Sequence, residues 1–139
     1  VVNYPVEIAG QPWEITCVDM GNPHCVVFCS RVDGVDVARI GPQFEHAPYF
    51  PDRINTEFIR VVNPSTIKMR VWERGSGETW ACGTGACAAA VAAVENGYCP
   101  KDEDITVKLR GGDLIIRYTD KAVYMTGSAQ TVYEGTITL

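Results

Sequence analysis

The stretch "ERGSGETWACGTGACAAAVAA" (73–93) decides how the rest of the chain has to be read. From Ala86 to Val94 it carries no polar side chain at all. The residues are good helix formers, the run opens behind a Gly-Thr-Gly break, and it stops at Asn96-Gly97, a helix-ending pair. A helix is therefore predicted from Thr84 to about Glu95. Such a helix is apolar in every direction, and a helix apolar all round is buried all round. Its small side chains let strands come close on every side. The expected fold class is α+β: a mostly antiparallel sheet wrapped around one buried central helix.

The remaining sequence supplies strands. "VEIAG" and "WEITCVDM" flank Gly10-Gln11-Pro12 as a hairpin, and "CVVFCS" follows the turn "GNPH". "INTEFIRVV" and "TIKMRVWE" are joined by "NPS"; in the second, Ile67, Met69 and Val71 alternate with Lys68, Arg70 and Trp72. Beyond the alanine run, "DITVKLR", "LIIRYT", "VYMTG" and "TVYEGTITL" read as a meander punctuated by Gly-Gly-Asp and Asp-Lys. A second helix is predicted over 35–47, with Val37, Ile40 and Phe44 on one face and Gly41-Pro42 expected to split or kink it. No linker or repeat divides residues 1–139, so one domain is expected. The start at Val1-Val2 without methionine suggests a piece of a longer protein.

Composition narrows the function classes. With 139 residues the chain can bury a core without staples. A net charge of −5 argues against a phosphate-backbone partner, so no nucleic acid is expected. The longest apolar run is too short to cross a bilayer, and no membrane partner is expected. Six cysteines (Cys17, Cys25, Cys29, Cys82, Cys87 and Cys99) lie mostly in strand or helix patterns, which points to free thiols and a cytoplasmic setting. Cys25 and Cys29 beside His24 invite a zinc reading, but no second ligand pair of suitable spacing follows, and no metal is expected. Cys25, Cys29 and Cys87 are read as core and His46 as surface.

Cys82 is the exception. It stands just before the first helical turn, where N–H groups lack internal partners and the helix dipole is positive. A thiolate there is stabilised, so the thiol is expected to ionise below its usual value of about 8.5. Gly83 and Gly85 leave backbone amides open for a carboxylate. Glu73 and Arg74 enter from the preceding strand. These are the parts needed to hold an amino acid and move a proton at its α-carbon. The residues themselves leave open whether Cys82 is a nucleophile or an acid/base.

"ERGSGETWACGTGACAAA" (73–90) resembles the second signature of diaminopimelate epimerases, pyridoxal-independent enzymes of bacterial lysine biosynthesis. "MGNPHCV" (20–26), "FPDRINTEFIRV" (50–61) and "MTGSAQTVYEG" (125–135) agree in order and spacing, so the resemblance runs along essentially the whole chain. Proline racemases and phenazine-pathway isomerases are similar more loosely. The resemblance implies two like domains, each a sheet around a central helix, with one cysteine per domain facing the substrate. It makes Cys82 the second catalytic cysteine, with Glu73 and His24 tuning protonation near the substrate ammonium. Gly83 and Thr84 would offer N–H groups to the reacting carboxylate. Asn22, Asn55 and Arg74 would hold the distal end, Arg74 by a bidentate grip. It implies no cofactor.

There is one such cysteine signature here, and the half carrying the other cysteine is absent. The chain is accordingly expected to be the C-terminal domain of a diaminopimelate epimerase, converting LL- to meso-diaminopimelate only with its N-terminal partner domain. The uncovered face leaves room for a homodimer. Three other readings stay open: an amino-acid-binding domain without chemistry, a redox or metal protein, and an epimerase of another amino acid. The asparagines and Arg74 favour a substrate with a second amino-acid head.

Overall fold

A computed structural model describes residues 2–80, 82–127 and 130–135. Ala81, Ser128, Ala129 and 136–139, parts of the motifs and last strand anticipated above, lie outside the described residues. Among the described residues the fold is α+β, with a mixed sheet and two helices. In order it runs β1 (Tyr4–Ile8), β2 (Gln11–Asp19), β3 (Pro23–Phe28), α1 (Val37–Glu45), β4 (Asn55–Asn63), β5 (Thr66–Glu73), β6 (Gly77–Thr79), α2 (Gly83–Glu95), β7 (Asp104–Leu109), β8 (Gly112–Tyr118), β9 (Val123–Gly127) and β10 (Gln130–Gly135).

The strands line up as β1-β2-β3-β4-β5-β7-β8-β9-β10, with β6 paired to β5. The first hairpin turns on Ala9 and Gly10, both at positive φ (56° and 75°), the tight geometry that suits strand twist. Gln11 and Pro12, expected in the turn, belong to β2. Two neighbouring pairs, β3–β4 and β5–β7, run parallel. Adjacent parallel strands need a long crossover, and each of these crossovers carries one of the helices. Parallel pairing is invisible to local alternation, which is why the sequence suggested a mostly antiparallel sheet.

Helix α2 sits where its composition requires. Ala86 to Ala93 are all fully buried, and α2 touches β2, β3, β4, β5, β7, β8 and β9. Val18, Val26, Ile59, Ile67, Met69, Val71, Ile105, Val107, Ile116 and Val123 pack in the same core. Its C-terminus closes with Gly97 at φ 80°, Tyr98 N–H on Ala93 O at 2.8 Å and Gly97 N–H on Val94 O at 3.0 Å. That is a Schellman ending. Asn96 Nδ2 also donates to Ala92 O (2.7 Å) and Thr16 Oγ1 (2.9 Å), tying the helix end to β2.

A second core lies on the other sheet face, where α1 covers Ile15, Cys25, Val27 and Phe58. The alternation of β3 and β4 between the two cores leaves both strands buried on both sides. Helix α1 corrects the expectation of a split: Val37–Glu45 is one helix with Pro42 inside it. Gly41 serves packing instead. A methyl there would stand 2.4 Å from the Trp72 ring, and Trp72 is tethered by Nε1 donating to Glu45 Oε1 at 2.8 Å. Glu45 further accepts from Arg53 Nη1 and Gly75 N–H, both at 3.1 Å. Burial opposes its charge, but the bonds from Trp72 and Gly75, with the charges of His46 and Arg53, hold its carboxyl below the usual range.

Gly41→Ala should therefore destabilise the chain by about 1–3 kcal/mol despite alanine's better helix propensity. Urea unfolding of the two proteins measures this; an unchanged or raised midpoint would show that the indole has room to move.

Candidate active site

Cys82 caps α2. Its backbone is extended (φ −146°, ψ 105°), and its Sγ accepts from Gly85 N–H at 3.3 Å, with Thr84 Oγ1 3.8 Å away. Cys82 O takes Ala86 N–H at 2.9 Å, so the first intrahelical bond is in place. Gly83 and Thr84 precede the point where intrahelical bonding begins, and among the described residues their N–H groups have no acceptor. Gly83 is also confined: a methyl there would be 2.9 Å from Met125 Cε.

The thiol does not ionise as its place at a helix end suggested. Burial first, and then the Glu57 carboxylate, push Cys82 up to about 11. The Gly85 N–H and Thr84 hydroxyl pull the other way, Glu73 adds to the rise, and the net effect is upward. The local helix end is outweighed by desolvation and a neighbouring like charge. In this chain Cys82 rests as a thiol. Cys87, deeper in the same core, is pushed up by burial to about 12.

Behind Cys82 lies a buried polar chain. His24 on β3 and Glu57 on β4 are both fully buried. His24 Nδ1 lies 2.8 Å from Glu57 Oε2, and His24 Nε2 lies 3.1 Å from Asn22 Oδ1. The parallel β3–β4 register sets these residues facing the α2 side. Burial raises the Glu57 carboxyl, the His24 contact opposes that rise and Glu73 adds to it. Among the described residues Glu57 Oε1 is buried with no hydrogen-bond partner.

Cys82, Thr84, His24 and Asn22 are thus brought into one region with Glu57, and Glu73 is close enough to act on both Cys82 and Glu57. Asn55 and Arg74 are joined differently. Asn55 Nδ2 donates to Pro23 O at 2.8 Å, and its Oδ1 accepts Arg74 N–H at 2.7 Å. The Asn55 amide therefore ties the start of β3 to the turn after β5. The Arg74 guanidinium reaches Asp52 O at 3.2 Å on the exposed loop before β4.

Sequence reading missed Glu57, although it lies within the quoted "INTEFIRV". Nothing local singles it out: β4 mixes polar and apolar residues (Asn55, Thr56, Phe58, Ile59, Arg60), and the buried partner of Glu57 lies on another strand. All six cysteines are free. Among the described residues no group of three His, Cys, Asp or Glu side chains is gathered closely enough to hold a metal. Nor is any helix long and apolar enough to cross a membrane.

Residues 16–132 match the family model described as "Diaminopimelate epimerase". A curated diaminopimelate epimerase of Nostoc punctiforme is 56% identical over 137 residues, 97% of this chain and 48% of that protein. One from Desulfovibrio desulfuricans is 56% identical over 133 residues, 94% of this chain and 46% of that protein. The chain spans about half the length of the curated relatives it matches. Among solved structures, a phenazine biosynthesis protein of the PhzF family from Enterococcus faecalis superposes with a TM-score of 0.60 at 18% identity. That match covers 81% of this chain and 43% of the other, a likeness of fold. A PhzF-family protein from Bacillus anthracis gives 0.58 at 21% identity, covering 80% of this chain and 38% of that one. With more than half its residues inside the family model and relatives identical at more than half their aligned positions, the chain belongs to the diaminopimelate epimerase family.

Proposed function

We propose that this chain is the C-terminal half of a diaminopimelate epimerase, interconverting LL- and meso-diaminopimelate together with an N-terminal half that supplies a second thiol. The observation that carries the reading is a thiol at the N-cap of a buried helix, beside the N–H groups of Gly83 and Thr84, in a setting where burial favours the protonated form. An acid and an anion cradle then share one helix end. The sheet closes about α2 as one of two like units, and a substrate lies where the two helix ends face each other.

In this reading the reacting carboxylate docks on Gly83 and Thr84 N–H, where the dipole stabilises the charge that grows as the α-proton leaves. A thiolate from the other half takes that proton from one face. The Cys82 S–H bond breaks on the opposite face and its proton bonds to the α-carbon, leaving Cys82 as thiolate. The reverse direction exchanges the two roles. Asn22, Asn55 and Arg74 grip the distal amino-acid head, with Asn55 also fixing the backbone from which Arg74 extends. Glu73 and His24 bear on protonation at the thiols and the substrate ammonium. No cofactor is required, and the setting is the cytoplasm. A homodimer of the complete protein is compatible with this arrangement.

The direct test is α-deuterium incorporation into LL- and meso-diaminopimelate in D2O, read by proton NMR, with the chain alone and with the N-terminal half added. Exchange is expected only in the mixture, and Cys82→Ala should reduce it by about 10²–10⁴-fold, the usual worth of an acid/base group. Exchange by the chain alone would mean that a second proton donor lies within it, and no exchange by folded, associated halves would overturn the reading.

The resting thiol has its own signature. The proton is held above the ordinary range, so the thiolate fraction of Cys82 is small at neutral pH and grows with pH up to about 11. Site-resolved alkylation of the folded chain should rise roughly tenfold per pH unit across that range. In urea the rise should end near the free-thiol value of about 8.5. A plateau below pH 9 in the folded chain would contradict the buried-thiol account.

A further inference from the structure

The His24–Glu57 pair is more than the sheet needs. β3 and β4 are already joined by a parallel ladder from His24–Asn55 to Phe28–Ile59. Glu57 occupies an inward position that an apolar side chain would fill without burying a charge, and a buried ion pair is generally no more stabilising than a well-packed apolar substitute. The carboxylate has one oxygen bonded to His24 and the other, Oε1, buried and without a partner among the described residues.

Proton placement follows from the geometry. An amide oxygen faces His24 Nε2 and a carboxylate oxygen faces Nδ1. The arrangement suits a ring that donates from Nε2 to Asn22 and shares one proton between Nδ1 and Glu57 Oε2. The pair is neutral overall wherever that proton sits, which makes its complete burial tolerable. It is not symmetrical as seen from Cys82. The missing side chain of Gly85 marks the intervening space: a methyl there would stand 2.9 Å from Glu57 Oε2 and 3.1 Å from Cys82 Sγ. Only a glycine lets the carboxylate and the thiol share it.

We propose that Glu57 is a positioning residue for the proton chemistry of Cys82, clamping His24 in one orientation through Nδ1 and setting a negative oxygen behind Sγ so that the thiol keeps its proton until it is given to substrate. The inference rests on the acid/base reading of Cys82. The groups that bear on that sulfur are Glu57 from β4, Glu73 at the end of β5, and the Thr84 hydroxyl and Gly85 N–H from α2. Cys87 follows five residues on, and His24 on β3 stands beyond Glu57. Among the described residues Thr84 and Gly85, at the helix end, favour the thiolate, and burial and both carboxylates oppose it.

Glu57→Gln keeps the shape and removes the charge. In this chain its alkylation profile at Cys82 should move to lower pH, with the rate at pH 8 rising about tenfold for each unit of displacement. A change in packing alone would alter the melting temperature without moving that midpoint. An unmoved midpoint, or one displaced upward, overturns the proposal. Imidazole 15N–1H spectra of the unsubstituted chain give a second measurement that needs no variant. The expected His24 signals are a protonated Nε2 and a shared proton at Nδ1, and an unprotonated Nε2 would overturn the clamp. Neither readout involves turnover, so failure of the epimerase reading would appear in the deuterium exchange alone.

Discussion

Everything in this chain answers to the requirement that α2 be shielded from water along its length. Its apolar residues run from Ala86 to Val94 without a polar face, and most are alanine, so the strands around it can come close while each contact contributes little by itself. Stability then depends on covering the helix from many directions at once, which is what β2, β3, β4, β5, β7, β8 and β9 do. The same requirement fixes where chemistry can occur. A helix enclosed along its sides presents unsatisfied N–H groups only at its N-terminal end, and Cys82 stands there.

Enclosure also sets the character of that cysteine. Two effects of the fold compete at Sγ: the helix end and Gly85 N–H draw the proton off, while burial and Glu57 hold it on. The second pair wins because desolvation acts on the whole thiolate charge, whereas a helix end contributes only a fraction of one. A thiol held in its acid form suits a group whose first task is to donate.

Much of this was legible in the residues. The alanine run specified a buried helix, Asn96-Gly97 marked its end, and the alternation of Ile67, Met69 and Val71 marked an inward strand face. What was not legible depended on residues distant in sequence. Gly41-Pro42 suggested a split or a kink in the helix because nothing nearby reveals that the Trp72 ring needs the space above Gly41. Glu57 looked like one more strand residue because its partner, His24, is brought beside it only by parallel pairing. The thiol's ionisation departs from the local signal for the same reason: the attraction is local, whereas the opposition comes first from burial and then from Glu57 on another strand. At Asn55, a residue suited to ligand contact proves to bond backbone as well.

The two parallel pairings have a consequence for how the chain reaches this state. β3 cannot meet β4 until the segment carrying α1 has been spanned, and β5 cannot meet β7 until α2 has been spanned. Each closure costs loop entropy before any cross-strand contact repays it. The hairpins β1–β2 and β7–β8 close short loops and can form early. Assembly of the middle of the sheet is the slow event, the pattern expected of folds dominated by non-local pairing. Until β5 and β7 join, α2 is an apolar segment without its cover, and during that interval the nascent chain is most exposed to association with other copies of itself.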